Sequence, residues 1–127
     1  MGLIVLDTAV LVDNLRDDGA ATAALDAARD EGHQLLASVV TMAELIAGMR
    51  SHERRATREL LAAMRWIDVT DEIAQRAGEQ ARRFRESHTG VGLPDYFIGA
   101  TAEHLGAALW TRNVRHFPMF PDLRPPY

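Results

Sequence analysis

The sequence predicts an α/β domain built on a central, mainly parallel sheet of four to five short strands wrapped by helices. Two observations predict it. Short apolar runs, LIVL at 3–6, QLLAS at 34–38, WIDV at 66–69 and AALWT at 107–111, alternate along the chain with longer stretches of helical periodicity. No internal repeat, linker or low-complexity stretch interrupts the 127 residues, so one domain over 1–127 is expected.

Each element has its local reason. LIVL is short, continuous and β-branched, the pattern of a buried strand, and TAVLVDNLR after it has helical spacing. Gly19 opens an Ala-rich helix, AATAALDAARDE, that ends near Gly32. After QLLAS, TMAELIAGMR and ERRATRELLAAMR form two helical patterns separated around Ser51 and His52. TDEIAQRAGEQARRFRESH is a long amphipathic helix with Ile73, Ala77, Ala81 and Phe84 on one face. TGVGL breaks the pattern, and Pro94 suits the first turn of the next helix, PDYFIGATAEHLG. The tail PMFPDLRPPY is expected to be extended.

Composition narrows the chemistry. The absence of cysteine excludes disulfides, thiolate metal sites and a Cys nucleophile, so any metal must bind oxygen or imidazole. No segment approaches the roughly 20 apolar residues of a membrane span, and the start lacks the pattern of a signal peptide, so no membrane and a cytoplasmic location are expected. A net charge of −4 argues against a generic polyanion binder. All 14 basic residues are Arg, a composition that codon bias explains as well as phosphate binding does.

Three acids share one kind of address. Parallel α/β sheets bind ligands beyond the carboxyl ends of their strands. Asp7 stands at such an end, Glu44 lies a few residues past the second strand, and Asp95 lies in the first turn of a helix. Each has a structural explanation when taken singly. Asp7 can cap the helix after it. Thr41 to Glu44 reads as a capping box, and Asp95 beside Pro94 is the acid expected at the positive end of a helix dipole. Context favours chemistry for the set, because Asp7 and Asp95 are embedded in apolar surroundings and a carboxylate there must be paired or metal-bound. Mg²⁺ or Mn²⁺ suits an all-oxygen ligand set.

The stretches VLDTAVLVDNLR, SVVTMAELIAGMR, GLPDYFIGATAEHLGAALWTRN and VRHFPMF, in that order and over essentially the whole chain, resemble the PIN domain ribonucleases and, within them, the VapC toxins of bacterial toxin–antitoxin pairs. The resemblance implies a PIN-like fold, with Asp7, Glu44 and Asp95 at the family's first three acidic positions. It further implies metal-dependent cleavage of RNA, often at tRNA or rRNA loops, and a homodimer bound by a cognate antitoxin that blocks the site. Many relatives carry a fourth acid in the last motif, where WTRNVRHF offers Asn113 and His116 instead. Asn113 can still donate an oxygen, and His116 can bind a phosphate, a metal or a leaving group.

Thr8 and Thr111 are candidate donors to the water shell, and Arg112 and Arg115 are the expected phosphate ligands. The Arg groups at 50–58 and 82–85 read as solvated helix faces with partners such as Glu59 and Glu86. Trp66 and Trp110 read as core, and Tyr96 and Phe97 as core or cleft rim. A haloacid-dehalogenase-like phosphatase would need a second Asp where Ala9 stands, and a receiver domain would need a Lys that the chain lacks. The alternative that remains is a catalytically weak or silent PIN-like module that binds RNA or a partner.

Overall fold

In a computed structural model, which describes residues 2–127, four strands and six α-helices follow the predicted order. The strands are β1 (Leu3–Leu6), β2 (Gln34–Ser38), β3 (Arg65–Ile67) and β4 (Ala108–Trp110). The helices are α1 (Thr8–Leu15), α2 (Gly19–Asp30), α3 (Val39–Gly48), α4 (Arg54–Ala63), α5 (Asp71–Phe84) and α6 (Leu93–Leu105). Short 3-10 turns at Ser51–Glu53 and Val114–His116 were not anticipated.

All strand pairs are parallel, in the order β3-β2-β1-β4. The chain therefore grows outward from β1 to β2 and β3, then crosses back to add β4 on the other side of β1. Such a reversal opens a crevice at the carboxyl ends of the two strands that flank it, here Leu6 of β1 and Trp110 of β4, which are paired in register. Asp7 and Thr111 are the next residue on each strand.

The connections divide between the two sheet faces. Ile4, Leu6, Val10, Leu11, Leu25, Ala37 and Leu45 form one core with the first helices. Val5, Leu36, Ile98, Leu109 and Phe117 form the other, beneath α6. Strand residues alternate between these faces as a doubly covered sheet requires. Helix α6 is buried along most of its length, and at Gly99 a Cβ would come within 3.1 Å of the Met119 sulfur and 3.4 Å of a Phe117 ring carbon. Gly99 thus lets the segment after β4 close over the helix.

Several boundaries differ from expectation: β4 covers Ala108–Trp110 rather than 107–111, and three others have a local cause. Helix α3 starts at Val39, because Ser38 accepts a hydrogen bond from the Val40 amide (3.1 Å) and caps it. Thr41 then lies inside the helix, so the predicted capping box with Glu44 does not form. β3 covers Arg65–Ile67 rather than 66–69, since its partner β2 ends at Ser38. α5 stops at Phe84, where the Ser87 hydroxyl competes for the Phe84 carbonyl (3.2 Å) and turns the chain.

Tyr96 is 1% exposed and its hydroxyl has no hydrogen-bond partner. An unsatisfied buried hydroxyl costs about 1–3 kcal/mol. Tyr96→Phe is therefore expected to raise stability by about 1 kcal/mol in equilibrium denaturation. An unchanged or lower midpoint would mean that the hydroxyl is satisfied in solution.

Candidate active site

Asp7 sits at the crevice, 4% exposed. Its Oδ1 accepts from the Thr8 amide (2.8 Å), which caps α1, and its Oδ2 accepts from the Thr111 hydroxyl (2.7 Å). The Asp7 amide donates to the Trp110 carbonyl (2.9 Å), extending the β1–β4 ladder by one rung. Thr111 Oγ1 in turn accepts from the Asn113 amide (2.9 Å), so one hydroxyl fixes the carboxylate and the start of the closing loop together.

Glu44 is brought in by α3. The Thr8 hydroxyl lies 2.6 Å from Glu44 Oε1 and 3.0 Å from Thr41 Oγ1. A hydroxyl has one hydrogen, so Thr8 donates it to the carboxylate and accepts from the buried Thr41. Only one Glu44 oxygen is engaged in this way. The sequence reads Thr41 as part of a cap; because α3 begins at Val39, Thr41 is instead a buried residue within the helix.

Asp95, the third residue of α6, accepts at Oδ2 from the Gly92 amide (3.3 Å) and lies 3.3 Å from Nδ1 of His116. Two of the three acids therefore do serve as helix caps, as their positions suggested. Glu44 is the acid whose bland explanation fails.

The three carboxylates feel one another. Burial pushes the Asp7 carboxyl above its ordinary value, the hydrogen bonds from Thr111 and Thr8 oppose this, and the charges of Asp95 and Glu44 push the same way. Burial likewise raises Asp95, with the His116 charge opposing and the Glu44 charge adding. Among the described residues Asp7 has no ion-pair partner. A buried anion facing two further anions fits a hard divalent cation, and the donors are all oxygen. Among the described residues, however, no three acidic or His side chains already converge as a closed ligand set.

The loop after β4 carries the remaining candidates. Arg112, Asn113, Val114, Arg115 and His116 line a concavity of about 210 Å³. Larger concavities, of about 560 Å³ beside His33 and about 610 Å³ along α4, share none of the acid-site residues. Arg115 is exposed and has no ion pair among the described residues. Arg112 is engaged elsewhere than expected: its Nη1 is 2.8 Å from Asp13 Oδ2, and its guanidinium stands 6.0 Å over the Tyr127 ring. The Tyr127 hydroxyl donates to the same Asp13 oxygen (2.6 Å). Burial alone would raise Asp13, but the Tyr127 and Arg112 hydrogen bonds hold it below its ordinary value. No local pattern links positions 13, 112 and 127, so this cluster left no signal in the sequence. Of the solvated Arg faces, Arg55 pairs with Glu59 (3.2 Å), whereas Glu86 takes no such partner among the described residues. Trp66 is half-buried and donates from its indole to the Leu61 carbonyl (2.8 Å).

The PIN domain model matches residues 4–120, and the chain belongs to the PIN domain family. Within it the chain is similar to Ribonuclease VapC10 of Mycobacterium tuberculosis, 49% identical over 98% of this chain and 93% of the relative. It is also similar to Ribonuclease VapC19 of the same organism, 46% identical over 97% of this chain and 98% of the relative. Among solved structures, a toxin–antitoxin complex from Klebsiella pneumoniae has a chain 29% identical to this one, with a TM-score of 0.80 over 98% of both.

Proposed function

We propose that this protein is a toxin-type endoribonuclease that hydrolyses RNA phosphodiester bonds with Mg²⁺ or Mn²⁺, acts on tRNA- or rRNA-like substrates in the cytoplasm as a homodimer, and is inhibited by a cognate antitoxin. The observation that carries this reading is Asp7: a carboxylate 4% exposed, facing Asp95 and Glu44 with no cationic partner among the described residues. The VapC relatives are named as ribonucleases and the Klebsiella chain comes from a toxin–antitoxin complex, which supports substrate and partner by likeness.

Asp7 and Asp95, with Glu44, would hold the cation. When bound, a divalent ion neutralises charge on the scissile phosphate and lowers the pKa of a water molecule. The chain's own residues do the rest. Thr111 and Thr8 fix the orientation of Asp7 and Glu44. The free Glu44 oxygen accepts a hydrogen bond from the attacking water and sets its line of approach. Water oxygen bonds to phosphorus as its proton passes to the free Glu44 oxygen, the bond to the 3′-oxygen breaks, and that oxygen takes a proton from His116; solvent then takes the proton from Glu44 and returns one to His116. The products are a 5′-phosphate and a 3′-hydroxyl. Asn113 supplies a neutral oxygen where relatives place a carboxylate, and Arg115 binds a flanking phosphate. Arg112 joins it once phosphate competes with Asp13.

Purified protein incubated with total RNA and Mn²⁺ or Mg²⁺ is expected to give discrete cuts that both Asp7→Asn and Asp95→Asn abolish. An identical pattern from all three proteins would rule out this assignment. The silent-module alternative predicts no cleavage by wild type, with RNA or antitoxin binding that survives both substitutions.

A further inference from the structure

Glu44 also lines a cavity of about 190 Å³ between α1, α3 and the start of α4. Its apolar lining comes from Leu15, Leu45 and Met49. Two features do not suit an aliphatic occupant. Thr57, in the lining, is 1% exposed and its hydroxyl has no partner. Arg16, also in the lining, is held to Glu53 Oε2 through Nε (3.0 Å), which leaves both terminal nitrogens of its fork spare. The other oxygen of Glu53, Oε1, accepts from the Arg50 amide (2.8 Å).

We propose that this cavity is a nucleobase pocket that receives an unstacked base of the RNA next to the scissile phosphate; the inference rests on the nuclease reading. The volume equals that of about six waters at roughly 30 Å³ each, which suits one planar heterocycle. Single-stranded RNA is read in this way, by splaying a base into a pocket and bonding its edge. The apolar lining takes the faces of the ring. The spare Arg16 nitrogens are donors only, and the Thr57 hydroxyl can bond the same edge, so the pocket favours a base that presents two adjacent acceptors to the fork. Guanine presents O6 and N7 in this way, whereas adenine sets an amino donor beside N7. Because Glu44 lines the same cavity, a base seated there fixes which phosphate reaches the acids.

Gly48 also lines the cavity, and a Cβ added there meets nothing within 4 Å. Gly48→Leu should therefore fill the pocket without strain while leaving Asp7, Glu44 and Asp95 in place. Thr57→Val removes only the unpartnered hydroxyl, and is expected to keep or raise the melting temperature. The test uses random-sequence single-stranded RNA with Mn²⁺, sequencing of the new ends, and bis-p-nitrophenyl phosphate as a substrate without bases. Wild type is expected to prefer guanine over adenine at one fixed position beside the cut. Both variants should lose that preference by about tenfold, with hydrolysis of the small diester unchanged. A preference that survives both substitutions overturns the pocket alone, and so does an equal fall on both substrates. A wild type that cuts neither substrate overturns the nuclease reading and the pocket with it. Loss of antitoxin binding in Gly48→Leu with the cleavage preference intact would assign the cavity to a peptide, and overturn the proposal.

Discussion

Asp7→Asn is expected to lose RNA cleavage by about a thousandfold, roughly 4 kcal/mol of barrier, while the metal-free protein becomes more stable. The two effects have one cause. Burial and the neighbouring acids raise the Asp7 carboxyl above its ordinary value of 3.8, so the folded state disfavours the ionised form. A group raised in this way contributes stability below the unfolded value, and that contribution is lost as pH rises through the folded value. At neutral pH the ionised carboxylate is thus a cost that Asn avoids while keeping an acceptor for the Thr8 amide. In a chelator at neutral pH, the variant should therefore melt above wild type. The gap between variant and wild type should close as pH falls below the raised value, because wild-type Asp7 then becomes neutral too. Adding Mg²⁺ at a hundred times its Kd should stabilise wild type by about 2.7 kcal/mol and the variant far less. A variant less stable than wild type in chelator at neutral pH would show that Asp7 is chiefly a helix cap.

Phe117→Ala should cost about 3–5 kcal/mol, a large share of the 5–15 kcal/mol typical of a domain. Phe117 is fully buried among Val5, Leu36, Ile98 and Leu109, and its ring lies against Gly99, which has no side chain to fill the space left behind. The cost has a functional side, since Phe117 directly follows His116 and anchors the loop that carries Asn113 and Arg115. Urea denaturation should show the loss in the midpoint with an unchanged slope. Cleavage assayed well below the new melting temperature should fall as well, because the His116 contact with Asp95 is released. A loss under 1 kcal/mol would mean that the segment after β4 lies outside the cooperative core.

The strands around which the site is built were legible because they are short and apolar: β1 and β2 have the predicted bounds. What positions the acids was less so. Ser38 and Thr70 have the same kind of side chain at the start of a helix, and both cap, but Thr41 offers a competing cap three residues later that the buried packing of α3 overrides. That shift of register decides whether Glu44 folds back on its own helix or reaches Thr8 across the crevice. Long-range pairings such as Thr111 with Asp7, or Arg112 with Asp13 and Tyr127, follow from the placement of β4 beside β1. Periodicity says what each strand is, and is silent on which strand it joins. The ordered motifs did point to the family, which the match over residues 4–120 bears out.

The central claim is that Asp7, Glu44 and Asp95 form a divalent-metal site that cuts RNA. Its most direct test is to strip wild-type protein with a chelator, titrate Mg²⁺ or Mn²⁺ back in the presence of RNA, and identify the chemistry of the new ends. The account predicts no cleavage in the stripped state, saturable recovery with either ion, and ends bearing a 5′-phosphate and a 3′-hydroxyl. Undiminished cleavage in chelator, or ends carrying a 2′,3′-cyclic phosphate, would contradict it.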